Sequence, residues 1–396
     1  MTRLPGAEPQ FLLQDPYRYT ARTAVLSGPG FYAATLFDGR RTPTDVALEV
    51  EASVGTRGSA REVETLAREL DDAFLLDSPR FRAEKDRVDR GWEGAKSRPL
   101  FVLGREIPTD RAALSKVLDA FYSKAPEALP RPSSKRLVAA VAPHIDPRAG
   151  GRVYAPAYRA LAREAADADL FVLLGTGHQP FDGPVALTDK DYDTPFGPVE
   201  TDREALDVVA RSVGAQAMRN SAAHRTEHSL EFTSVFLAHA LREARRRPIR
   251  ALPILVGHFG ELGSAAPDDD PTVGALVEAL RALRRDREAR GQRVVFVAGV
   301  DLAHRGTRFG EAAVDAEALP ALEALDRAFA AKAASGDAAA VLADYLSDRE
   351  ARRYCGFSSL WVLAKVLGPS EGEVLSYGSD LQAGAVVTFF SGTMRQ

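Results

Sequence analysis

Residues 170–178 read LFVLLGTGH, an unbroken apolar run that leads through a Gly-Thr-Gly turn to a histidine. Continuous runs of this kind are typical of strands that are buried on both faces of a parallel sheet. Three other runs have the same form: VAAVAP leads to His144, ALPILVG to His258 and VVFVAGVDLA to His304. The chain has only seven histidines in 396 residues. Because ligands bind just beyond the carboxyl ends of such strands, we expect these imidazoles to converge on a metal or acid/base site.

Helical patterns separate the strand-like runs from residue 136 onward. Helices are predicted at 153–166, 202–213, 227–243, 271–289, 319–333, 337–346 and 356–367, and strands at 136–142, 169–174, 251–256, 293–299, 373–378 and 384–391. This alternation predicts one α/β domain over residues 136–396, with a mainly parallel sheet sandwiched by helices.

Residues 1–85 are predicted to form a separate, small α+β module that is winged-helix-like. Short strands are expected in FLLQDPYRYTARTAVLS at 11–27 and in FYAATLFDGR at 31–40, and a hairpin-like end in LLDSPRF at 75–81. Two helices are expected between them, TPTDVALEVEASVG with Thr42 as the N-cap, and AREVETLARELDDAF from residue 60. We interpret the charged and proline-rich segment 86–135 as a connector that contains one helix, TDRAALSKVLDAFYSK.

Bulk composition narrows the class of protein. The 51 basic and 55 acidic residues give a formal net charge of −4, which argues against nucleic acid as a partner. No apolar stretch is long enough to cross a membrane, and MTRLPGAEPQF lacks the apolar core of a signal peptide. We therefore expect a cytoplasmic protein. The single cysteine, Cys355, excludes an intrachain disulfide and a multi-cysteine zinc site.

His144 and His178 each follow a predicted strand directly. His144 lies between Pro143 and Pro147 in a stiff loop, where Asp146 could orient an imidazole or a metal-bound water. The alternative for His144 is a hydrogen-bonded surface histidine in a rigid loop. The GTG before His178 is weak as a sign of phosphate binding, since the full dinucleotide fingerprint is absent; a functional histidine is favoured there over an ordinary loop histidine.

Asp301 and His304 form an Asp-x-x-His pair at the end of a third strand. A carboxylate near an imidazole can hold its tautomer and raise its pKa, so the pair suits general acid/base work. Cys355 follows two arginines and stands at the start of a predicted helix. Both features favour the thiolate that a metal requires, although an inert buried cysteine is the more common case.

The pattern HRTEH at 224–228 matches the inverted zincin motif H-x-x-E-H. As a zinc hydrolase, the chain would use His224 and His228 as ligands and Glu227 as a base. The alternative is that Glu227 and Glu231 begin an amphipathic helix, near the end that favours acidic residues. His224 would then precede that helix and need not share a face with His228.

Eight short blocks occur in an order that resembles the Memo family, which is structurally related to the class III extradiol dioxygenases. They are APH at 142–144, LLGTGH at 173–178, DYDTPFGPVETD at 191–202, AHRTEHSLEF at 223–232, ALPILVG at 251–257, VDLAHRGTRFG at 300–310, YCGFSS at 354–359 and SYGSD at 376–380. The resemblance covers residues 136–393. It implies an α/β sheet sandwiched by helices, of the extradiol dioxygenase type.

The resemblance also implies roles for particular residues. His144, His178 and Cys355 match the family's metal ligands, and Asp301 and His304 match residues that line the same pocket. His304 matches the acid/base histidine of the related dioxygenases, whereas Cys355 stands where those enzymes use a carboxylate ligand. The remaining pocket residues would be Asp146, Glu227 and His228, with the EHSLE block as a pocket or helix-start feature.

Two imidazoles and a thiolate suit one ion of iron or copper better than magnesium or calcium, and zinc is a further candidate. We therefore expect a redox-active oxidoreductase that acts on a small molecule or a peptide. The alternative from another class is a non-catalytic module that binds a peptide or protein partner in the same pocket. The module at 1–85 resembles PqqD-like peptide-recognition domains, which implies docking of a peptide or protein partner.

Overall fold

The computed structural model describes residues 2–4, 10–125, 133–259, 266–348 and 351–396. The chain divides into two compact units, Met1–Ala95 and Lys96–Gln396. This boundary differs from the predicted module over 1–85 and connector over 86–135. A helix at Pro79–Gly94 belongs to the first unit, and the chain from Lys96 belongs to the second. Part of the predicted connector, 126–132, lies outside the described residues.

The described part of unit 1 combines a small antiparallel sheet with four helices. Its strands are β1 (Thr2–Leu4), β2 (Gln10–Gln14) and β3 (Thr23–Ser27), in that order, and its helices are α1 (Gly28–Thr35), α2 (Pro43–Val54), α3 (Ala60–Asp72) and α4 (Pro79–Gly94). Capping boxes begin α2 and α3, where Thr42 pairs with Asp45 and Ser59 pairs with Glu62. The two helices predicted in this region are therefore confirmed.

Two elements predicted in unit 1 were wrong, and for the same physical reason. The first half of the strand expected at 31–40 lies instead in helix α1. This helix begins after Ser27, whose hydroxyl accepts from the backbone N–H of Gly30. The hairpin-like end expected at 75–81 is the start of α4, where the hydroxyl of Ser78 accepts from the N–H of Phe81. In both cases a serine N-cap and a proline in the first turn start a helix. A winged-helix or PqqD-like module stays a prediction.

One eleven-stranded sheet organises the described part of unit 2. Its strands are β4 (Ser97–Arg98), β5 (Leu137–Ala142), β6 (Leu170–Thr176), β7 (Val185–Leu187), β8 (Asp191–Tyr192), β9 (Val199–Thr201), β10 (Ile249–Val256), β11 (Val294–Gly299), β12 (Asp301–Gly306), β13 (Glu371–Gln382) and β14 (Ala385–Arg395). The order is β12-β14-β5-β11-β6-β10-β9-β8-β4, with β13 on β14 and β7 on β10. The central strands β5, β11, β6 and β10 are parallel.

Helices cover both faces of this sheet. They are α5 (Leu103–Glu106), α6 (Arg111–Lys124), α7 (Pro147–Glu164), α8 (Arg203–Val213), α9 (Ala215–Arg219), α10 (Ser229–Leu241), α11 (Pro271–Ala289), α12 (Leu319–Ala334), α13 (Ala338–Ser347) and α14 (Phe357–Leu367). Along β5, Ala140 and Ala142 join the core of α6, α7 and α10, whereas Ala139 and Val141 join the core of α8, α11 and α14. The predicted α/β sandwich is confirmed. Within the described residues, every helix is too short or too polar to span a membrane.

The register of the central strands fixes where the loops meet. Gly299 at the end of β11 pairs with Ala142 on β5 and with Gly175 on β6, and Val256 on β10 pairs with Thr176. These four strands therefore end at one level. The loops that follow β5 and β6 leave this edge of the sheet and carry His144 and His178. The chain after β11 leaves the same edge and begins β12 at Asp301.

Candidate metal centre

His144 is held in one tautomer by the strand beside it. Its Nδ1 lies 2.9 Å from the carbonyl oxygen of Gly299, and the ring is almost fully buried. Burial, reinforced by the charges of His178 and His228, holds the pKa of His144 well below its ordinary value. A neutral ring that donates from Nδ1 keeps the lone pair of Nε2 for the site, as in metal-binding histidines.

Cys355 reaches this Nε2 from the loop that directly precedes α14. Its Sγ lies 3.4 Å from Nε2 of His144, and the hydroxyl of Thr176 donates to the carbonyl oxygen of Cys355 at 3.3 Å. The loop approaches β11 and β12 closely at Gly356, where a Cβ would lie 2.5 Å from the Cβ of Val300. Glycine at this position therefore allows the thiol to come within ligand distance of the histidine.

The two arginines before Cys355 do not activate its thiol as the sequence suggested. Arg352 pairs with Asp344 and Asp348, and the side chain of Arg353 donates to the carbonyl oxygen of Phe309. Burial raises the pKa of the Cys355 thiol, although the neighbouring His178 opposes this shift. In the metal-free protein the thiol is therefore harder to ionise than an exposed cysteine.

His178 is oriented by a buried carboxylate. Its Nδ1 lies 2.9 Å from Oε1 of Glu227, and its backbone N–H donates to Oε2 at 2.7 Å. Although burial disfavours the imidazolium, the carboxylate raises the pKa of His178 well above its ordinary value. The ligand atoms of His144, His178 and Cys355 all lie within 4.8 Å of one another. The three residues therefore form one cluster that could hold a metal ion.

Glu227 also holds His228, so the cluster contains a third imidazole. Oε1 of Glu227 accepts from the backbone N–H of His228 at 2.8 Å and lies 3.1 Å from its Nδ1. The ring of His228 lies 4.6 Å from that of His178 and 5.3 Å from that of His144, measured between centroids. His178, Glu227 and His228 also satisfy the spacing of a metal site. Their close atoms already bond to one another, so we interpret this group as support behind the first cluster.

Asp301 serves His144 rather than His304, contrary to the predicted Asp/His pair. Its Oδ1 accepts from the backbone N–H groups of His144 and Ile145, at 3.0 and 3.2 Å, and its Oδ2 lies 3.5 Å from Nε2 of His144. Burial raises the pKa of Asp301 to about 7. His304 is oriented by the carbonyl oxygen of Leu302, 2.9 Å from its Nδ1. Burial lowers the pKa of His304 to about 4, instead of the increase expected from a carboxylate partner.

Asp146 has a structural task in the same loop. It caps α7 by accepting from the backbone N–H of Arg148 at 2.8 Å, and its carboxylate forms an ion pair with the guanidinium of Arg148. Its described contacts do not include the ring of His144. His258, the fourth strand-end histidine, is exposed, and its Nε2 lies 3.4 Å from the hydroxyl of Tyr345.

The zincin interpretation of HRTEH is wrong for His224. Both ring nitrogens are engaged, Nδ1 with the hydroxyl of Tyr192 at 2.8 Å and Nε2 with the carbonyl oxygen of Ala186 at 3.0 Å. His224 lies in a 3-10 segment, Asn220–Arg225, while α10 begins at Ser229, so the two histidines do not share a helical face. Glu227 and His228 belong to the histidine and cysteine cluster.

Arg98 and Glu231 support the cluster, and their pairing was missed in the sequence. The two side chains form a fully buried ion pair. Arg98 also donates to the carbonyl oxygens of His224, at 3.0 Å, and of Glu227, at 2.7 Å. Glu231 accepts from the backbone N–H groups of residues 101–103. The available signal was the glutamate on the mostly apolar helix α10, because a buried acid requires a partner.

Fold and cluster together define an α/β protein with histidines and a cysteine gathered at the carboxyl ends of parallel strands. The profile of the Memo-like protein family matches residues 98–390, which is most of the chain. The chain therefore belongs to the Memo-like family. The predicted membership is confirmed, and the match begins at Arg98.

Curated relatives agree with this assignment. A protein named MEMO1 family protein from Thermus thermophilus is 27% identical over 358 residues, covering 89% of this chain and 98% of its own. A namesake from Methanococcoides burtonii is 33% identical over 43% of this chain and 56% of its own. Among solved structures, an uncharacterized protein from Escherichia coli K12 is 12% identical, covers 65% of this chain and 99% of its own, and has a TM-score of 0.38.

The Thermus relative also aligns with part of unit 1. The alignment covers 89% of the chain, and residues 96–396 alone cannot supply that share. At least part of the small N-terminal unit therefore has a counterpart in that relative.

Proposed function

We propose that this protein binds one ion of iron or copper through His144, His178 and Cys355 and acts as an oxidoreductase. The observation that carries the proposal is the 3.4 Å contact between Sγ of Cys355 and Nε2 of His144, with Nδ1 of His144 fixed on Gly299. With Nδ1 of His178 fixed on Glu227, both rings keep Nε2 for a ligand bond. Such tautomer control from behind the ligands is typical of built metal sites.

The donor set fits soft or borderline metals. Two imidazoles and one thiolate suit iron, copper and zinc, whereas magnesium and calcium prefer oxygen ligands. Metal loading must displace the thiol proton and the proton that Glu227 favours on His178, because ligands bind in their deprotonated forms. We therefore expect metal affinity to rise with pH.

The surrounding residues would handle protons and orientation. An iron or copper ion would supply one-electron chemistry when bound. His304 is suited to accept a proton from a substrate at Nε2, since Nδ1 is engaged with Leu302 and burial keeps the ring neutral at pH 7. Glu227 keeps the rings of His178 and His228 in place, and Asp301 fixes the backbone at His144.

The deciding experiment is metal analysis of protein purified without oxygen and without a metal-affinity tag. We expect about one ion per chain in the wild type and loss of most metal in Cys355→Ser, because a hydroxyl replaces a thiolate poorly. His258→Ala is the matched control, since it removes a strand-end histidine outside the cluster. Full metal content in Cys355→Ser would contradict the proposed ligand set.

Catalytic use of the centre needs a second measurement. Nitric oxide should bind to the ferrous protein if a coordination position is open, and His304→Ala should keep its metal while losing turnover by about 10²–10⁴-fold. A protein that holds its metal but never binds nitric oxide or dioxygen would instead be a binding module for a peptide or protein partner. If zinc is the native ion, the oxidoreductase proposal is wrong, because zinc is not redox-active.

A further inference from the structure

A buried group of hydroxyls around one carboxylate lies behind the Cys355 loop and strand β12. The carboxylate of Asp326, on α12, accepts hydrogen bonds from the hydroxyls of Tyr354, Tyr377 and Thr388. The bonds from Tyr377 and Thr388 measure 2.8 and 2.6 Å, and Asp326 is fully buried. Each of these hydroxyls comes from a different segment, so the carboxylate joins elements that are distant in sequence.

The bond to Tyr354 fixes the loop that carries the cysteine. Tyr354 is the residue before Cys355, and its hydroxyl also receives a hydrogen bond from Nη1 of Arg352 at 2.6 Å. A guanidinium can only donate, so the hydroxyl proton of Tyr354 must point to Asp326. Arg352 is itself held by Asp344, 2.5 Å from its Nη2. The loop is therefore clamped immediately before the thiol.

The bond to Thr388 fixes the strand that carries His304. Oγ1 of Thr388, on β14, accepts from the backbone N–H of Ala303 at 2.9 Å and donates to Asp326. Ala303 stands between Asp301 and His304. The strand and the loop also bond to each other, because the N–H of His304 donates to the carbonyl oxygen of Arg352 at 2.9 Å.

We propose that Asp326 is a positioning residue that sets the Cys355 thiol and the Asp301–His304 segment at a fixed separation. The carboxylate receives one hydrogen bond from Tyr354 in the Cys355 loop and another from Thr388, which holds the backbone of Ala303. A change at Asp326 therefore alters the support of both segments. The part of this inference that is measured through metal ligation rests on the proposed metal centre. A general contribution to fold stability is the competing role, and the closing experiments separate the two.

The first experiment uses cobalt(II) as the probe and compares Asp326→Asn and Tyr354→Phe with Tyr377→Phe. The control removes a hydroxyl from the same carboxylate, but this hydroxyl comes from β13 and belongs to neither the loop nor β12. We expect Asp326→Asn and Tyr354→Phe to bind cobalt about tenfold more weakly, the low end for groups behind metal ligands. Their thiolate-to-cobalt absorption per bound ion should also decrease, while Tyr377→Phe stays near wild type. Equal effects in all three variants, or none, would overturn the proposal.

The second experiment needs no metal. Cys355 is the only cysteine, so its alkylation by iodoacetamide reports access to this loop, and the plateau rate at high pH removes the effect of thiol ionisation. We expect faster alkylation in Asp326→Asn and Tyr354→Phe, and a wild-type rate in Tyr377→Phe. Melting temperatures measured in parallel report the stability of each variant. If global unfolding exposes Cys355, the alkylation rate should increase in every variant in proportion to its loss of stability.

The two experiments also separate the positioning role from the proposed function. A wild type that binds no cobalt, combined with the expected alkylation pattern, would reject the metal centre and retain the positioning role. A wild type that binds cobalt through its thiolate, combined with wild-type behaviour of Asp326→Asn and Tyr354→Phe, would reject the positioning role alone. If Asp326→Asn fails to fold, Tyr354→Phe decides.

Discussion

His224 and His228 stand four residues apart in one motif, yet the structure uses them in opposite ways. His224 is fully buried and engages both ring nitrogens, with Tyr192 and Ala186. His228 is partly exposed, binds Glu227 through Nδ1 and faces the ring of His144. A histidine can serve chemistry only where a ring nitrogen remains for a ligand or proton. Spacing alone therefore does not identify a metal motif.

The difference between the two histidines extends to the whole segment 220–231. Two of its residues, His224 and Glu231, form a scaffold that is bound by the buried guanidinium of Arg98. The other two, Glu227 and His228, project into the cluster. Rigid support of this kind is what a precisely placed ligand set requires.

The largest effect should follow from removing the scaffold support entirely. A chain of residues 136–396 lacks Arg98, which leaves Glu231 buried without its partner, and lacks α6, whose Phe121 packs against Gly151 so closely that a Cβ there would lie 2.4 Å away. We expect this fragment to be insoluble or unfolded and residues 96–396 to fold. Soluble expression and circular dichroism test this.

The single substitution Arg98→Met isolates the ion pair from the loss of α6. Breaking a buried pair on one side should destabilise the protein by about 3–5 kcal/mol. Urea unfolding of the full chain measures this change.

A stable 136–396 fragment that retains metal would contradict the first of these two predictions. It would show that the segment before residue 136 is a dispensable connector.

An effect of intermediate size on stability should follow from His224→Ala. His224→Ala loses two hydrogen bonds and leaves buried groups on Tyr192 and Ala186 unpaired, so we expect a loss of about 2–4 kcal/mol. Metal content per folded molecule should stay near wild type. Denaturant unfolding combined with metal analysis checks both values, and strong metal loss without destabilisation would restore His224 as a ligand.

The pH dependence of stability should carry the signature of His224. Burial lowers its pKa to about 4 in the folded protein, against about 6.5 in an unfolded chain. Between these values the unfolded state binds a proton that the folded state does not, so stability falls as pH falls from about 6.5 to about 4. Lowering pH from 7 to 5 should cost about 2 kcal/mol through this residue.

His224→Gln supplies the comparison for that measurement, because glutamine does not titrate. Urea unfolding of metal-free wild type and variant at pH 7 and pH 5 gives the difference in pH dependence. The pKa values of His239 and His304 are lowered in the same way, so the variant should retain part of the pH dependence. Identical slopes in the two proteins would contradict a neutral buried His224.

The smallest effect on stability should come from His228→Ala. The ring is partly exposed, so we expect a change of less than about 1 kcal/mol in the free energy of unfolding. Metal affinity should fall by up to about tenfold, because the ring shares Glu227 with His178 and helps to hold its orientation. A cobalt titration measures this, and abolished binding would make His228 a direct ligand.

Much of unit 2 could be predicted because its signals are local. Apolar runs gave the buried strands, and the helices α8 and α11 begin within one residue of their predicted positions. His144 and His178 lie together because parallel strands share one carboxyl edge. Cys355 joins them from the loop that precedes α14. In unit 1, α1 and α4 were missed because the serine caps and prolines at Ser27 and Ser78 were outweighed by apparent strand patterns.

Partners across long separations could not be predicted. Nothing near Asp301 in sequence shows that its carboxylate binds the backbone of His144, 157 residues away. The same holds for Arg98 and Glu231, which are 133 residues apart. These pairs depend on the tertiary register of strands and loops, and a buried charge indicates only that some partner exists.

The position of β14 has a consequence for synthesis. This strand, Ala385–Arg395, lies inside the sheet between β12 and β5, so the sheet cannot close until its last residues have left the ribosome. His144 follows β5 and His304 lies on β12, and their separation is fixed through that late strand. The thiol of Cys355 is made 211 residues after the imidazole that it contacts. The proposed metal centre would therefore assemble only after β14 has been synthesised.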